Sequence, residues 1–172
     1  MDIVHLLHSL RDVKRRHRRA FTLVEVMILV GIIGLLAVIS VPQIQKARIR
    51  SEDMSFVSDL RLLAQNTFEL YAYHKGDFPP DRAPGVQPPG LDEYLPRRFH
   101  WNSPTPIGGE WDWNRAPTRA DKVNGCYAAL GVHRPRRTSS QMKDIDALLD
   151  DGDLFSGAFR RTDEGYMYVV ER

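Results

Sequence analysis

The sequence is short of cysteine and of net charge. Cys126 is the only cysteine among 172 residues, so neither an intrachain disulfide nor a Cys-based zinc site can form. The 24 Lys and Arg residues nearly balance the 22 Asp and Glu residues, which leaves a formal charge of +2. This even balance argues against a nucleic-acid-binding protein, and we expect no nucleic-acid partner.

The sequence also lacks the common motifs of catalysis. It contains no Gly-x-Ser-x-Gly, His-Glu-x-x-His, P-loop or Gly-x-Gly-x-x-Gly pattern. His74, His100 and His133 are isolated from one another, and Cys126 lies in a predicted strand, where packing is the simpler interpretation. We therefore expect that the protein is not an enzyme and that it needs no cofactor.

One long apolar segment is present near the beginning of the chain. Residues 21–41 contain a single charged residue, Glu25. A helix of this length is about 30 Å long, which matches the hydrocarbon core of a bilayer. A buried helix of a soluble protein is the alternative, but the mostly polar remainder of the chain is too small to enclose it. The segment therefore predicts one membrane-spanning helix.

The flank before this segment is basic. Residues 1–20 carry two acidic residues, Asp2 and Asp12, against six basic ones, Arg11, Lys14, Arg15, Arg16, Arg18 and Arg19. Positive charge resists translocation, so we predict a cytoplasmic N-terminus and a head on the opposite side of the membrane. A secretory signal peptide is the competing interpretation, but its apolar region is usually shorter.

The stretch 18–25, RRAFTLVE, resembles the leader junction of type IV prepilins and type II secretion pseudopilins. The resemblance implies that prepilin peptidase cleaves between Ala20 and Phe21, and that the new N-terminus at Phe21 is methylated. The family usually has glycine where this chain has Ala20, which leaves open whether processing is slower. Glu25 and Pro42 fall at the positions of the family's buried acid and helix-bending proline.

Glu25 is the candidate assembly residue. An unpaired carboxylate near the middle of a bilayer costs about 2.5–3.5 kcal/mol or more, so it favours a cationic partner. The resemblance implies pairing with the amino terminus of a neighbouring subunit; the alternative is pairing with Phe21 of the same chain. Gly31 and Gly34 allow close helix packing or are ordinary membrane-helix glycines. Pro42 predicts a bend in the helix.

The helix is predicted to continue beyond Pro42. Residues suited to a buried face recur at steps of three and four, with Gly76 as a stop signal; they are Val57, Leu60, Ala64, Thr67 or Phe68, and Tyr71. This spacing predicts an amphipathic second half of the helix over residues 42–75, with one face on a core.

The remaining residues, 76–172, predict a globular head. Residues 77–118 hold nine of the eleven prolines together with aromatic anchors, which indicates a long structured loop. Patterning predicts a turn at 91–95, a helix at 139–149, and strands at 111–113, 125–132, 155–161 and 166–171. The expected fold is α+β: a long N-terminal helix, spanning the membrane in its first half, packed on a small antiparallel sheet. We expect a leader at 1–20, a transmembrane half at 21–41, an amphipathic half at 42–75 and the head.

The stretches FPPD at 78–81, PIGGEWDW at 106–113 and DDGDL at 150–154 are similar to heads of the major-pseudopilin type. Some members of that group bind calcium in a late loop. The acidic residues here are Asp144, Asp146, Asp150, Asp151 and Asp153. Their spacing matches no EF-hand, and acidic turns and helix caps are the simpler interpretation. The expectation is therefore no metal, with calcium as the alternative.

Together these features predict a structural subunit of a pilus-like filament in the inner membrane, with a periplasmic or extracellular head. A pseudopilin of a type II secretion system is the first choice. A type IV pilin or minor pilin, serving adhesion, motility or DNA uptake, is the second. A third alternative is a membrane-tethered binding module that never polymerises and contacts its ligand through a Trp-rich loop around Trp111. The expected partners are prepilin peptidase, other pilin or pseudopilin subunits, an inner-membrane assembly platform and the lipid bilayer.

Overall fold

The computed structural model describes residues 21–120, Lys122 and residues 124–172. The predicted leader, residues 1–20 with Ala20 at its end, lies outside the described residues. Contacts divide the chain into two compact units, with the boundary between Ile44 and Gln45. The elements are α1 (Leu23–Leu62), a π-helical segment (Leu63–Phe68), α2 (Glu69–Lys75), β1 (Glu110–Arg115), β2 (Ala128–His133), α3 (Ser139–Leu149), β3 (Phe159–Arg161) and β4 (Gly165–Glu171).

The helix of the first unit continues through Pro42, as the sequence predicts. Pro42 lacks an N–H, so one hydrogen bond of the helix is missing at this point. Every residue from Phe21 to Ile44 is exposed within this chain. The predicted bend at Pro42 stays a prediction.

In the second unit, one face of the helical region is buried. The predicted positions Val57, Leu60, Ala64 and Phe68 all lie in this face. The helix widens to a π-helix between α1 and α2. The residue pattern does not reveal this change, because LAQNTF contains neither glycine nor proline. Gly76 ends α2 in the left-handed conformation, with φ of 82° and its N–H bonded to the Ala72 carbonyl.

The four strands form one antiparallel sheet in the order β1-β2-β4-β3. β1 and β2 pair so that Trp111 lies opposite Val132 and Trp113 lies opposite Leu130. Because side chains alternate along a strand, these four point to one face of the sheet, against the helical core residues. The predicted α+β fold, a long N-terminal helix with a small antiparallel sheet, is confirmed.

Stacked aromatic rings join the helices to the sheet. Phe56 stacks on Trp111 with ring centroids 5.5 Å apart, and Phe68 stacks on Trp113 at 3.7 Å. The indole N–H of Trp113 donates to the Pro79 carbonyl at 3.0 Å and so fixes the proline-rich loop to the core. Both tryptophans are at most 2% exposed. The interpretation of the Trp-rich loop as a ligand-contacting surface is therefore wrong at Trp111, whose side chain belongs to the core.

Two predicted strands are shorter than expected. β2 begins at Ala128 instead of residue 125, and β3 contains only Phe159–Arg161 instead of 155–161. The shortening of β3 has a local cause. In the loop before it, aspartate side chains accept hydrogen bonds from backbone N–H groups; the Phe155 N–H, for example, donates to Asp153 Oδ1 at 3.2 Å. Phe155 is consequently 78% exposed. By contrast, α3 has the predicted bounds, with a capping box between Thr138 and Gln141 at its beginning.

The opposite face of the sheet has a smaller apolar cluster, formed by Cys126, Ala129, Met167 and Val169. Burial raises the pKa of the Cys126 thiol, which keeps it protonated. This environment fits the predicted packing role of Cys126.

Candidate processing and assembly segment

Glu25 takes part in a capping box at the beginning of α1. Its Oε2 accepts the Thr22 N–H at 3.0 Å and the Thr22 hydroxyl at 2.9 Å, while the Glu25 N–H donates to the Thr22 hydroxyl oxygen at 3.2 Å. A carboxylate here also lies at the positive end of the helix dipole. The sequence Thr-x-x-Glu at 22–25 is therefore also a capping-box signal for the beginning of a helix, which the resemblance of the junction does not reveal.

In the uncleaved chain the intrachain partner of Glu25 is Thr22. Pairing of Glu25 with the Phe21 amine of the same chain stays a prediction. In the uncleaved chain Phe21 contributes a peptide N–H, and a free ammonium group appears only after cleavage between Ala20 and Phe21. Any ion pair of Glu25 with an amino terminus, in the same chain or in a neighbour, therefore requires processing first.

The described part of the first unit, residues 21–44, has an exposed surface that is apolar on all sides. Each of its large apolar side chains is at least 44% exposed: Phe21, Leu23, Val24, Val26, Met27, Ile28, Leu29, Val30, Ile32, Ile33, Leu35, Leu36, Val38, Ile39, Val41 and Ile44. Soluble monomers rarely expose contiguous apolar patches larger than a few hundred Å². Lipid or other protein chains must therefore cover this surface.

Gly31 and Gly34 lie three residues apart in this surface, so they share one side of the helix. A Cβ atom at either position would meet no atom of the described chain within 4 Å. Packing within the chain therefore does not require glycine at these positions. Their predicted role in packing against another helix stays a prediction.

The segment with this geometry matches a known family. Residues 15–41 match the model of the prokaryotic N-terminal methylation motif. The chain carries an N-terminal methylation motif. This motif indicates a pilin-type precursor that prepilin peptidase processes and that assembles in the manner of pilins. No curated protein and no solved structure is significantly similar to the chain.

The methylation motif coincides with a helix that can cross a membrane. In the part of the chain that the structure describes, Leu23–Lys75 is the one helix with sufficient length and apolar composition, and its apolar window is fully exposed. An N-terminal methylation motif on a helix that can cross a membrane indicates that the protein is anchored in a membrane.

Within the second unit, Arg137 connects the loop before α3 to α1. Its guanidinium donates to Glu52 Oε2 at 2.7 Å and to Asp53 Oδ1 at 2.8 Å, and its side chain is only 9% exposed. Burial alone would lower the pKa of Arg137, but the bonds to Asp53 and Glu52 raise it above its ordinary value. Hydrogen bonds from Arg137 and then Arg48 also hold the pKa of Glu52 below its usual range.

Replacing Arg137 with Met should therefore destabilise the head. The change leaves the nearly buried Asp53 carboxylate without its donor, which costs about 2 kcal/mol. Thermal unfolding of the detergent-solubilised protein, followed by near-UV circular dichroism, measures this loss. Arg134→Met is the matched control, because Arg134 pairs with Glu164 on the exposed surface, where such pairs contribute about 0.5 kcal/mol or less. Equal stability of the two variants would contradict the role of Arg137.

Proposed function

We propose that this protein is a non-enzymatic structural subunit of a pilus-like filament, and specifically a pseudopilin of a type II secretion system. The observation that carries the proposal is the N-terminal methylation motif on a helical segment that is apolar and, over residues 21–44, exposed on every side. A surface of that kind needs lipid before assembly and other copies of the same helix after it.

The chemistry of the junction supports assembly between subunits. Cleavage before Phe21 creates an ammonium group at the beginning of the helix, where the single acid of the apolar segment, Glu25, also lies. A carboxylate in apolar surroundings is stabilised by a nearby cation and by hydrogen-bond donors. Pairing of Glu25 with the Phe21 amine of a neighbouring subunit would cancel both charges and fix the axial stagger of the helices.

The proposed location is the inner membrane in a single pass. The basic residues 1–20 hold the N-terminus in the cytoplasm until cleavage, and the head folds in the periplasm or outside the cell. The partners of this proposal are prepilin peptidase, other pseudopilin subunits and an inner-membrane assembly platform.

The head favours a pseudopilin over a type IV pilin or minor pilin, which is the second candidate. Cys126 is the only cysteine and is buried, so the head has no disulfide of the kind that many major pilins carry. The gene neighbourhood tests this choice. A secretin with a full set of pseudopilins supports the secretion role, and a retraction motor supports the pilin role.

Processing is the direct test of the proposed function. Co-expression with prepilin peptidase should yield a chain that begins at Phe21 and carries one N-terminal methyl group, as measured by mass spectrometry of the intact protein. An Ala20→Gly variant should be cleaved at least as fast, and cells without the peptidase supply the uncleaved control. A chain that retains Met1 in the presence of the active peptidase would refute the proposal.

A further inference from the structure

A groove of about 390 Å³ lies between α1 and α3 in the second unit. Lys46, Ile49 and Arg50 belong to its α1 wall, and their spacing of three and four residues places them on one face of that helix. Asp144 and Leu148 belong to its α3 wall, four residues apart. We refer to this feature as the α1–α3 groove. Two helix faces meet there without filling the space between them.

Hydrogen bonds fix the two walls of the α1–α3 groove to each other. Near the end of α3, the Arg61 guanidinium donates to the Leu148 carbonyl at 2.6 Å. Before the beginning of α3, Arg137 donates to Asp53 at 2.8 Å. Because α3 is attached to α1 at both of its ends, the groove is preformed, and a ligand can enter it without a rearrangement of the helices.

The α1–α3 groove carries two positive charges that the described chain leaves uncompensated. Lys46 and Arg50 are exposed, and neither forms a hydrogen bond or an ion pair with the part of the chain that the structure describes. Asp53 also lines the groove, but Arg137 already holds its carboxylate. The remaining acid is Asp144, so the groove keeps a net positive charge and favours an anion.

The α1–α3 groove also exposes apolar surface. The Leu148 residue is 45% exposed, and Ile49 is half-buried. A free inorganic anion would leave this apolar surface in water, whereas a ligand that joins a negative charge to apolar groups would cover it. The groove therefore favours an amphipathic anion.

The covalent chain keeps the α1–α3 groove near the membrane. Lys46 is the fifth residue after Val41, with which the apolar segment ends. Five residues span at most about 18 Å in any conformation, and the headgroup layer extends roughly 5–8 Å beyond the hydrocarbon core. Lysine and arginine side chains next to a membrane helix reach towards the headgroups. Lipid is thus the amphipathic anion that the groove meets at the highest local concentration.

We propose that the α1–α3 groove binds the headgroup of an anionic phospholipid, with the phosphate between Lys46 and Arg50. An arginine guanidinium can donate two parallel N–H bonds to a phosphate, and a lysine adds a compact positive charge. The glycerol backbone and first methylene groups of the lipid would then cover Ile49 and Leu148. This contact holds the head at the membrane surface while the subunit is in the bilayer. It rests on the membrane anchor of the proposed function and not on filament assembly.

The experiment uses the full chain in nanodiscs of phosphatidylcholine alone, or of equal parts of phosphatidylcholine and phosphatidylglycerol. Hydrogen–deuterium exchange measured by mass spectrometry should be at least about threefold slower with phosphatidylglycerol in peptides that cover residues 45–53 and 139–149. Peptides that cover β2 should not change. High salt should remove most of the protection, because it screens contacts between exposed charges. Equal exchange in the two membranes would overturn the proposal.

Inorganic phosphate distinguishes a lipid from a free anion. Sodium phosphate added to the phosphatidylcholine nanodiscs should give no protection of residues 45–53 and 139–149, because it cannot cover the apolar part of the α1–α3 groove. Protection equal to that by phosphatidylglycerol would show that the groove is a site for a free anion, and the proposal would be wrong.

Variants separate the α1–α3 groove from the general charge of the head. The double variant Lys46→Gln, Arg50→Gln should lose most of the protection, and it should fold because both side chains are exposed. The matched control Arg97→Gln, Arg98→Gln removes two exposed charges elsewhere on the head and should keep the protection. Full protection in the first double variant, or equal loss in the second, would refute the assignment.

Asp144→Asn tests the sign of the charge that the α1–α3 groove accepts. Removing this acid from the α3 wall should increase the protection by phosphatidylglycerol, because Asp144 repels a phosphate in the groove. Decreased protection would contradict the binding of an anion. Cleavage before Phe21 tests the proposed function separately. A chain that is cleaved and methylated but shows no lipid effect refutes the groove alone, and an uncleaved chain with the full lipid effect refutes the proposed function alone.

Discussion

Glu25→Gln should remove the subunit from filaments and leave its insertion and cleavage intact. Glutamine preserves the capping box, because its side-chain oxygen can still accept the bonds from Thr22. It removes the charge that would pair with the Phe21 ammonium of a neighbour. An ammonium group that is buried without an anionic partner is strongly unfavourable. We therefore expect the amount of this subunit in the sheared-filament fraction to fall at least tenfold, as measured by quantitative immunoblotting.

Thr22→Ala separates the capping role from the assembly role. This variant removes the hydroxyl that bonds to Glu25 but leaves the carboxylate in place. Loss of a cap costs about 1 kcal/mol of helix stability, which should change assembly only slightly. If Glu25→Gln assembles normally, the negative charge of Glu25 is not needed for assembly. If Thr22→Ala fails as completely as Glu25→Gln, the bonds of the Thr22 hydroxyl are required for assembly as well as the charge of Glu25.

The helices were predictable because their signals are local. The apolar run at 21–41, the three-and-four spacing after Pro42 and the stop at Gly76 all lie within a few turns of the structure they specify. The same holds for α3, whose capping-box residue Thr138 directly precedes its first residue. Residues 15–41 also carry the methylation motif, so the candidate assembly segment could be found without the fold.

The head was less predictable because its decisive contacts join distant residues. Arg137 pairs with Asp53 across 84 positions. No local pattern in the basic run at 133–137 indicates that the side chain of its last member is only 9% exposed. The sequence indicates that the tryptophans of β1 anchor a loop but not what they pack against, because their neighbours in the chain are polar and proline-rich. Their burial depends on Phe56 and Phe68 of the helical region. Likewise, the sequence shows that Asp146 is acidic but not that its side chain is buried.

Trp113→Ala should have the largest effect on the stability of the head. The side chain is 1% exposed, stacks on Phe68 and donates a hydrogen bond to the Pro79 carbonyl. Its removal therefore leaves a large cavity and leaves the Pro79 carbonyl without this donor. Large-to-small substitutions of this kind cost about 3–5 kcal/mol. We expect Tm to fall by roughly 10 °C or more in thermal unfolding of the detergent-solubilised chain.

Two further variants show whether this loss comes from packing. Trp113→Phe retains a ring against Phe68 but loses the bond to Pro79, so it should cost about 1–2 kcal/mol and remain measurable if Trp113→Ala does not fold. Tyr73→Ala is the surface control, because Tyr73 is 84% exposed and should change stability by about 0.5 kcal/mol or less. A Trp113→Ala protein as stable as the Tyr73→Ala protein would contradict the aromatic core described above.

A destabilised head on an unchanged first unit should still be cleaved before Phe21, because the processing signal lies entirely within the methylation motif.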